Sequence, residues 1–154
     1  MISLQQIQQV LFLDIETVSS HAEFEQMSED WQGLWADKTR FQRQEESPAE
    51  FYPKRAAILA EFGKVVCISC AFFSLQNGQW ELRMKSFCDS DEVQLLQDFA
   101  QLLERLLNFR LCAHNGKEFD FPYLSRRMIS HGIKLPGQLN NAGKKPWEVP
   151  HIDT

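Results

Sequence analysis

The order of hydrophobic periodicities between residues 64 and 115 constrains this chain more than any other feature of it. Two runs, 64–73 and 79–87, are rich in apolar residues at strand-like spacing, and Asn77-Gly78 lies in the short loop between them. Asn-Gly supplies the left-handed conformations of a tight hairpin turn, so these runs predict two antiparallel strands. Residues 90–108 then change to helical period, with Val93, Leu96, Phe99, Leu103 and Leu106 on one stripe. Asp89 with Glu92 predicts a capping box at the start of that helix. A short apolar run, 111–115, follows. A helix between a hairpin and a further strand is a crossover, which returns the chain to a strand parallel to an earlier one. The resulting class is α/β with a mixed sheet: antiparallel strands first, parallel strands later, and flanking helices.

The remaining elements fit around that frame. A strand is predicted over 10–16, and a helix from about Asp120–Pro122 to Gly132, with Tyr123, Leu124 and Met128 inward and Arg126 and Arg127 outward. Residues 132–150 read as a loop, and 149–154 as the start of another strand. Residues 19–55 are polar and acidic, with Phe24, Trp31, Trp35, Phe41, Phe51 and Tyr52 scattered through them. Trp31, Leu34 and Trp35 have helical spacing, and the segment reads as an insertion between the first and second core strands. Its aromatics serve either its own packing or base stacking. With 154 residues the chain is expected to form one domain, 1–154.

Bulk properties exclude some functions. No apolar stretch reaches the length of a membrane span, so no membrane partner is expected. The amino terminus has neither a basic leader nor a small-residue cleavage site, which points to a cytoplasmic protein. Net charge is −5, yet the charge is unevenly placed: residues 1–52 carry 3 Lys/Arg against 10 Asp/Glu, and residues 111–154 carry 6 against 4. The last third is therefore mildly basic, and Arg126, Arg127, Lys144 and Lys145 are candidate phosphate contacts. Cys67 and Cys70 form a CxxC inside a strand, where positions three apart face opposite ways, so no shared metal is expected. The four cysteines read as reduced core thiols.

The chemistry lies in the acids. Asp14 and Glu16 close the apolar run VLFLDIE, two apart on a strand, so their side chains project to one face with alpha carbons about 6.6 Å apart. Two anions so close repel unless a cation joins them, and hard divalent cations prefer carboxylate oxygens. Asp120, three residues after a strand-end Asn115-Gly116-Lys117 turn and a short polar step, reads by itself as a helix N-cap. It follows a strand expected beside the first, so its carboxylate can reach the same cleft. Three acids on adjacent elements can serve a two-metal phosphoryl displacement.

FLDIET followed by AHNGKEFDFPYL resembles motifs I and II of the DEDD 3′–5′ exonucleases, which have a ribonuclease H-like fold. The N-G-x-x-F-D form is most similar to the proofreading exonuclease of family B DNA polymerases, and EFGKVVCISCAFF is similar to the second strand of that domain. The resemblance implies a metal-dependent 3′–5′ exonuclease that acts on the 3′ end of single-stranded DNA, or RNA, and releases nucleoside monophosphates. It implies two divalent cations, Mg²⁺ or Mn²⁺, with Asp14, Glu16 and Asp120 as ligands and catalytic acids. Asn115 and Phe119 match positions that shape the substrate strand's path. With Thr17, Arg126 and Arg127 they make up the candidate substrate contacts. The family's fourth acid lies in a third motif on a later helix; no such motif precedes Thr154, so the C-terminal part of the fold is expected to be missing. Asp153 reads as a strand-end polar residue rather than that acid, and His114 and His151 read as packing residues. The alternative is an inactive nucleic-acid-binding or interaction module that retains the fold. A degenerate aspartyl-phosphate phosphatase is a further reading, which lacks its second Asp.

Overall fold

The computed structural model describes residues 4–154; the first three, at the head of the terminus read for a leader, lie outside the described residues. After a single helical turn, α1 (Leu4–Ile7), the chain enters β1 (Val10–Ser19). From Leu11 onward β1 alternates: Leu11, Leu13 and Ile15 are buried, Phe12 is half-buried, and Asp14 and Glu16 are exposed. The predicted strand is thus extended by three residues, and its acids lie on the face that the buried residues avoid.

The chain divides into two compact units. One is residues 17–64; the other comprises the chain up to Glu16 together with Val65–Thr154. The smaller unit is wider than the predicted insertion and contains α2 (Glu29–Thr39) and α3 (Pro48–Arg55). Each helix starts at a serine N-cap, Ser28 and Ser47, whose hydroxyl accepts a backbone N–H of the first turn. Trp35 and Tyr52 are fully buried, with ring centroids 5.1 Å apart, and Phe62 stands 5.0 Å from Trp35 on another side. The Trp35 indole N–H donates to the Pro48 carbonyl at 2.8 Å, so the polar end of the ring is satisfied. Most of the aromatics of this segment therefore form its own core; Phe41 is the conspicuous exception, 84% exposed.

In the larger unit, β2 (Gly63–Gln76) and β3 (Gln79–Cys88) pair antiparallel from Cys67↔Cys88 to Gln76↔Gln79. Asn77 (φ 51°) and Gly78 (φ 80°) both take left-handed conformations, as a primed hairpin turn requires. Cys67 and Cys88 face each other across the hairpin and form a disulfide, which corrects the reading of four reduced thiols; Cys70 and Cys112 are free and buried. Cys67 and Cys70 do not pair.

The crossover helix is α4 (Glu92–Arg105), with Leu95, Leu96, Phe99 and Leu103 buried. Its N-cap is Asp91, whose carboxylate accepts from the Val93 and Gln94 amides, while Asp89 accepts from Asp91. The predicted capping box does not form, because Glu92 turns inward instead. Next come β4 (Arg110–Ala113), α5 (Asp120–Ser130) and β5 (Ile152–Asp153). β4 is parallel to both β1 and β5, and the sheet order is β3-β2-β1-β4-β5. A leading antiparallel hairpin beside parallel strands reached through a crossover helix is the ribonuclease H-like arrangement. Among the described residues no helix is long and apolar enough to cross a membrane.

Candidate active site at the strand ends

The register sets Phe12 of β1 beside Cys112 of β4, and Cys112 beside Ile152 of β5. β4 and β5 therefore reach their carboxyl ends at one level, which β1 passes on its way to Ser19, and such ends are where open α/β sheets place their sites. Beyond that level lie Asp14 and Glu16 on β1, the 114–119 turn after β4, and Asp153 on β5.

The turn explains the Asn115-Gly116 pair. Asn115 has φ 53°, a left-handed conformation that Asn tolerates better than most residues. Gly116 is required for a different reason: a Cβ there would stand 2.5 Å from the Ala113 Cβ and 2.8 Å from Phe121 Cζ. Close packing of the turn onto β4 and α5 leaves its amide pointing at Asp153, whose Oδ1 accepts it at 3.0 Å.

Asp120 opens α5 and is 2% exposed. It is the first helical residue rather than the predicted N-cap, which is Phe119 and has no side-chain cap bond. The Ile15 amide and Asp120's own amide act on the Asp120 carboxylate and favour its charged form. Ile15 lies between Asp14 and Glu16, so this influence reaches Asp120 from the stretch of β1 that carries the two acids. Burial, foremost, pushes the Asp120 carboxyl up to about 6; the negative charges of Asp14 and Asp153 add to the rise, and the two amides oppose it. Asp14, Asp120 and Asp153 thus share one electrostatic neighbourhood. The ion pairs among the described residues involve none of these acids, nor Glu16.

These are hard oxygen donors without cationic partners among the described side chains, the donor chemistry that suits Mg²⁺ or Mn²⁺. Among the described residues, no three His, Cys, Asp or Glu side chains converge closely enough to hold one ion. The set thus fits by chemistry and placement rather than as a preformed cage.

Other predicted contacts are distributed differently. Phe119 is half-buried and packs on Tyr123, ring centroids 5.4 Å apart. Arg126 is exposed on α5, and Thr17, half-buried, begins the smaller unit. Arg127 is a correction: its guanidinium is not outward but 13% exposed, donating to Glu92 with an Nε to Oε1 distance of 2.8 Å. Glu92 also accepts from the Val65 amide at 2.8 Å and contacts His131 at 2.8 Å. Burial alone would raise the Glu92 carboxyl; bonds from Arg127, Val65 and His131 outweigh it and hold it below the usual range. This junction fixes α5 to α4 and β2, and so fixes the helix that carries Asp120.

His151 is buried and structural. Its Nδ1 accepts the Leu111 amide at 3.1 Å, so the other ring nitrogen carries the proton and donates to the Gln138 carbonyl at 2.6 Å. Burial, then the charges of Lys117, Lys144 and Arg110, push the imidazole below its usual range. Sequence reasoning passed over two features: the Ile15 amide, which no side-chain pattern announces, and the proximity of Asp153. An acid two residues beyond a third strand's first histidine was visible as HID, but only the register brings it to Gly116.

Residues 57–150 match a family described as predicted 3′–5′ exonucleases related to the exonuclease domain of PolB. That stretch includes Asn115 and Asp120 and starts after β1. Among solved structures, the family B DNA polymerase from the hyperthermophilic archaeon Pyrobaculum calidifontis aligns with 82% of this chain at 19% identity and TM-score 0.41. The alignment covers 11% of that polymerase, so this chain spans about a tenth of its length. No curated protein matches the chain.

Proposed function

Because the chain belongs to the family of predicted 3′–5′ exonucleases related to the PolB exonuclease domain, we propose that it hydrolyses phosphodiesters from the 3′ end of single-stranded DNA, with RNA as the alternative to DNA. The observation that carries this reading is the buried Asp120 at the start of α5, within the electrostatic reach of Asp14 and of the Ile15 amide, as a third acid beside Asp14 and Glu16. Asp14, Glu16 and Asp120 are the residues that would hold two divalent cations. Such cations supply an activated water and stabilise the charge on the leaving oxygen.

The chain's own residues do the rest. Burial of Asp120 in the first turn of α5 limits its orientations, so that less rearrangement is needed at the moment of reaction. The exposed Asp14 and Glu16 leave the strand end open to a nucleic acid terminus. Asn115, on its left-handed turn, and Phe119 border the path to Asp120, and Arg126 offers a charge for the phosphate backbone.

The second reading is an inactive nucleic-acid-binding module, and the lack of a tight three-carboxylate cluster among the described residues favours it. One experiment decides. 5′-labelled single-stranded DNA is incubated with Mg²⁺ or Mn²⁺ and the protein, its Asp14→Ala variant, or its Asp120→Ala variant. A metal-dependent ladder that both variants lose is the expected outcome. Binding without any ladder would replace the enzyme by the module.

A further inference from the structure

Alongside α5, in the larger unit, lies a cavity of about 330 Å³ that the exonuclease reading does not use. Its apolar lining includes Phe121, Leu135 and Leu139, and Lys117, Arg126 and Lys144 are the charged residues around it. A second cavity of about 250 Å³ shares Asn141 and Lys144 with the first and adds Arg110 and His151. No carboxylate lines either cavity. In a chain with 21 acidic and 16 basic residues, such a run of unmixed positive charge is a local reversal. Four cations, Arg126, Lys117, Lys144 and Arg110, flank two adjoining hollows. Their field extends inward, since Lys117, Lys144 and Arg110 all act on buried His151. The track starts at Lys117, three residues before Asp120, and leads away along the 135–150 loop.

We propose that the two cavities are a binding track for the single-stranded nucleic acid segment upstream of the cleaved end, a base entering the larger cavity while the cations meet its phosphates. This rests on the exonuclease reading for the identity of the polymer. Apolar slots flanked by cations suit a strand whose bases are free to leave the stack, since the bases need a dry surface and the backbone needs positive charge. A duplex hides its bases and is excluded by the same argument.

The probe is 5′-fluorescein oligothymidylate, bound to the full chain in EDTA and followed by anisotropy across a salt series. Arg126→Ala/Lys144→Ala should bind about tenfold more weakly and lower the slope of log K against log salt by about 1.4, two phosphate contacts at ~0.7 each. Arg83→Ala/Lys85→Ala removes as much charge on β3, at the sheet edge opposite β5, and should leave binding unchanged. Ala142→Trp fills the larger cavity without changing charge, and should weaken binding with the salt slope intact. Far-UV circular dichroism verifies that each variant is folded. Equal affinity for the protein and the track variant, or equal loss in the control, overturns the proposal. Hydrolysis of thymidine 5′-p-nitrophenyl phosphate, too short to reach the track, separates the two readings. If hydrolysis persists while oligonucleotide binding ignores the track variant, the track fails and the exonuclease stands. If binding follows the track without any hydrolysis, the enzyme reading fails and the track stands.

Discussion

Replacing Gly116 by alanine tests whether the turn between β4 and α5 is as tightly packed as the geometry indicates. The added Cβ would meet the Ala113 Cβ at 2.5 Å and Phe121 Cζ at 2.8 Å. Carbon atoms rest near 3.5–4.0 Å apart, so relief needs a separation of about 1 Å. Neither neighbour can give by rotating a side chain. The Ala113 Cβ has no rotamers and sits on a strand paired on both sides, and Phe121 is 3% exposed in the first turn of α5. The backbone must therefore move, which puts the cost at the upper end of overpacking penalties, about 3 kcal/mol. In urea this lowers the midpoint by about 1–2 M at an m-value of roughly 2 kcal/mol/M. Thermal unfolding should move down by about 6–12 °C. Gly137→Ala is the control: a Cβ there meets nothing within 4 Å, and its φ is not positive. It should change stability by less than about 0.5 kcal/mol. Urea titrations of the three proteins, followed by circular dichroism, measure both effects. If Gly116→Ala matches Gly137→Ala, the packing argument for the Asn115-Gly116 turn is refuted. Activity supplies a second readout, because a displaced turn carries Asp120 away from the Ile15 amide, and cleavage should fall together with stability.

Arg127→Ala should destabilise the chain by about 3 kcal/mol, since it leaves the buried Glu92 carboxylate short of its main cation; Glu92→Leu/Arg127→Met should recover much of that in the same urea assay. On acidification His151 and Glu92 should each lose a stabilising contribution, whereas Asp120, raised from 3.8 to about 6, should add stability as pH falls through 6 toward 3.8. His151 is held below its ordinary 6.5, so its contribution is complete above that value and is lost as pH falls toward the folded-state value. Glu92 is held below its ordinary 4.5, so its contribution is complete above 4.5 and is lost at lower pH still. The His151 contribution is therefore read, from neutral to about pH 4, as the difference between the unfolding free energies of the protein and of His151→Asn, which should lack it. Asn115→Gly should leave stability within about 0.5 kcal/mol, because glycine accepts φ 53° freely, whereas Asn115→Ala should cost about 1 kcal/mol. A raised KM in the glycine variant, with the fold intact, would mark the Asn115 amide as a substrate contact.

Much of the frame was legible without coordinates, and the reason is local. Period two on either side of Asn77-Gly78 specifies a hairpin, and the stripe through Leu96, Phe99 and Leu103 specifies a helix, because each pattern depends only on neighbours within a few residues. The order of those elements then leaves few topologies open. The acids Asp14, Glu16 and Asp120 stood out for the same reason, being charges at the ends of apolar segments. Local patterns were also where reading failed. Asp89 and Glu92 have capping-box spacing, yet Asp91 caps the helix, because Arg127 and the Val65 amide, distant in sequence, offer Glu92 more. Arg127 has the spacing of an exposed helix residue and is buried for the same reason.

Local patterning settles which segments are strands and helices, and places carboxylates beside two of the core segments. The company those carboxylates keep is a matter of the packed fold. Asp120 meets the Ile15 amide, and Asp153 meets the Gly116 amide, only because β1, β4 and β5 lie in parallel register. Registers are set by packing across the sheet, and a backbone N–H leaves no trace in the side-chain pattern. The cation track has the same origin: Arg110, Lys117, Arg126 and Lys144 are spread over residues 110–144 of a mildly basic stretch, and folding gathers them around two hollows.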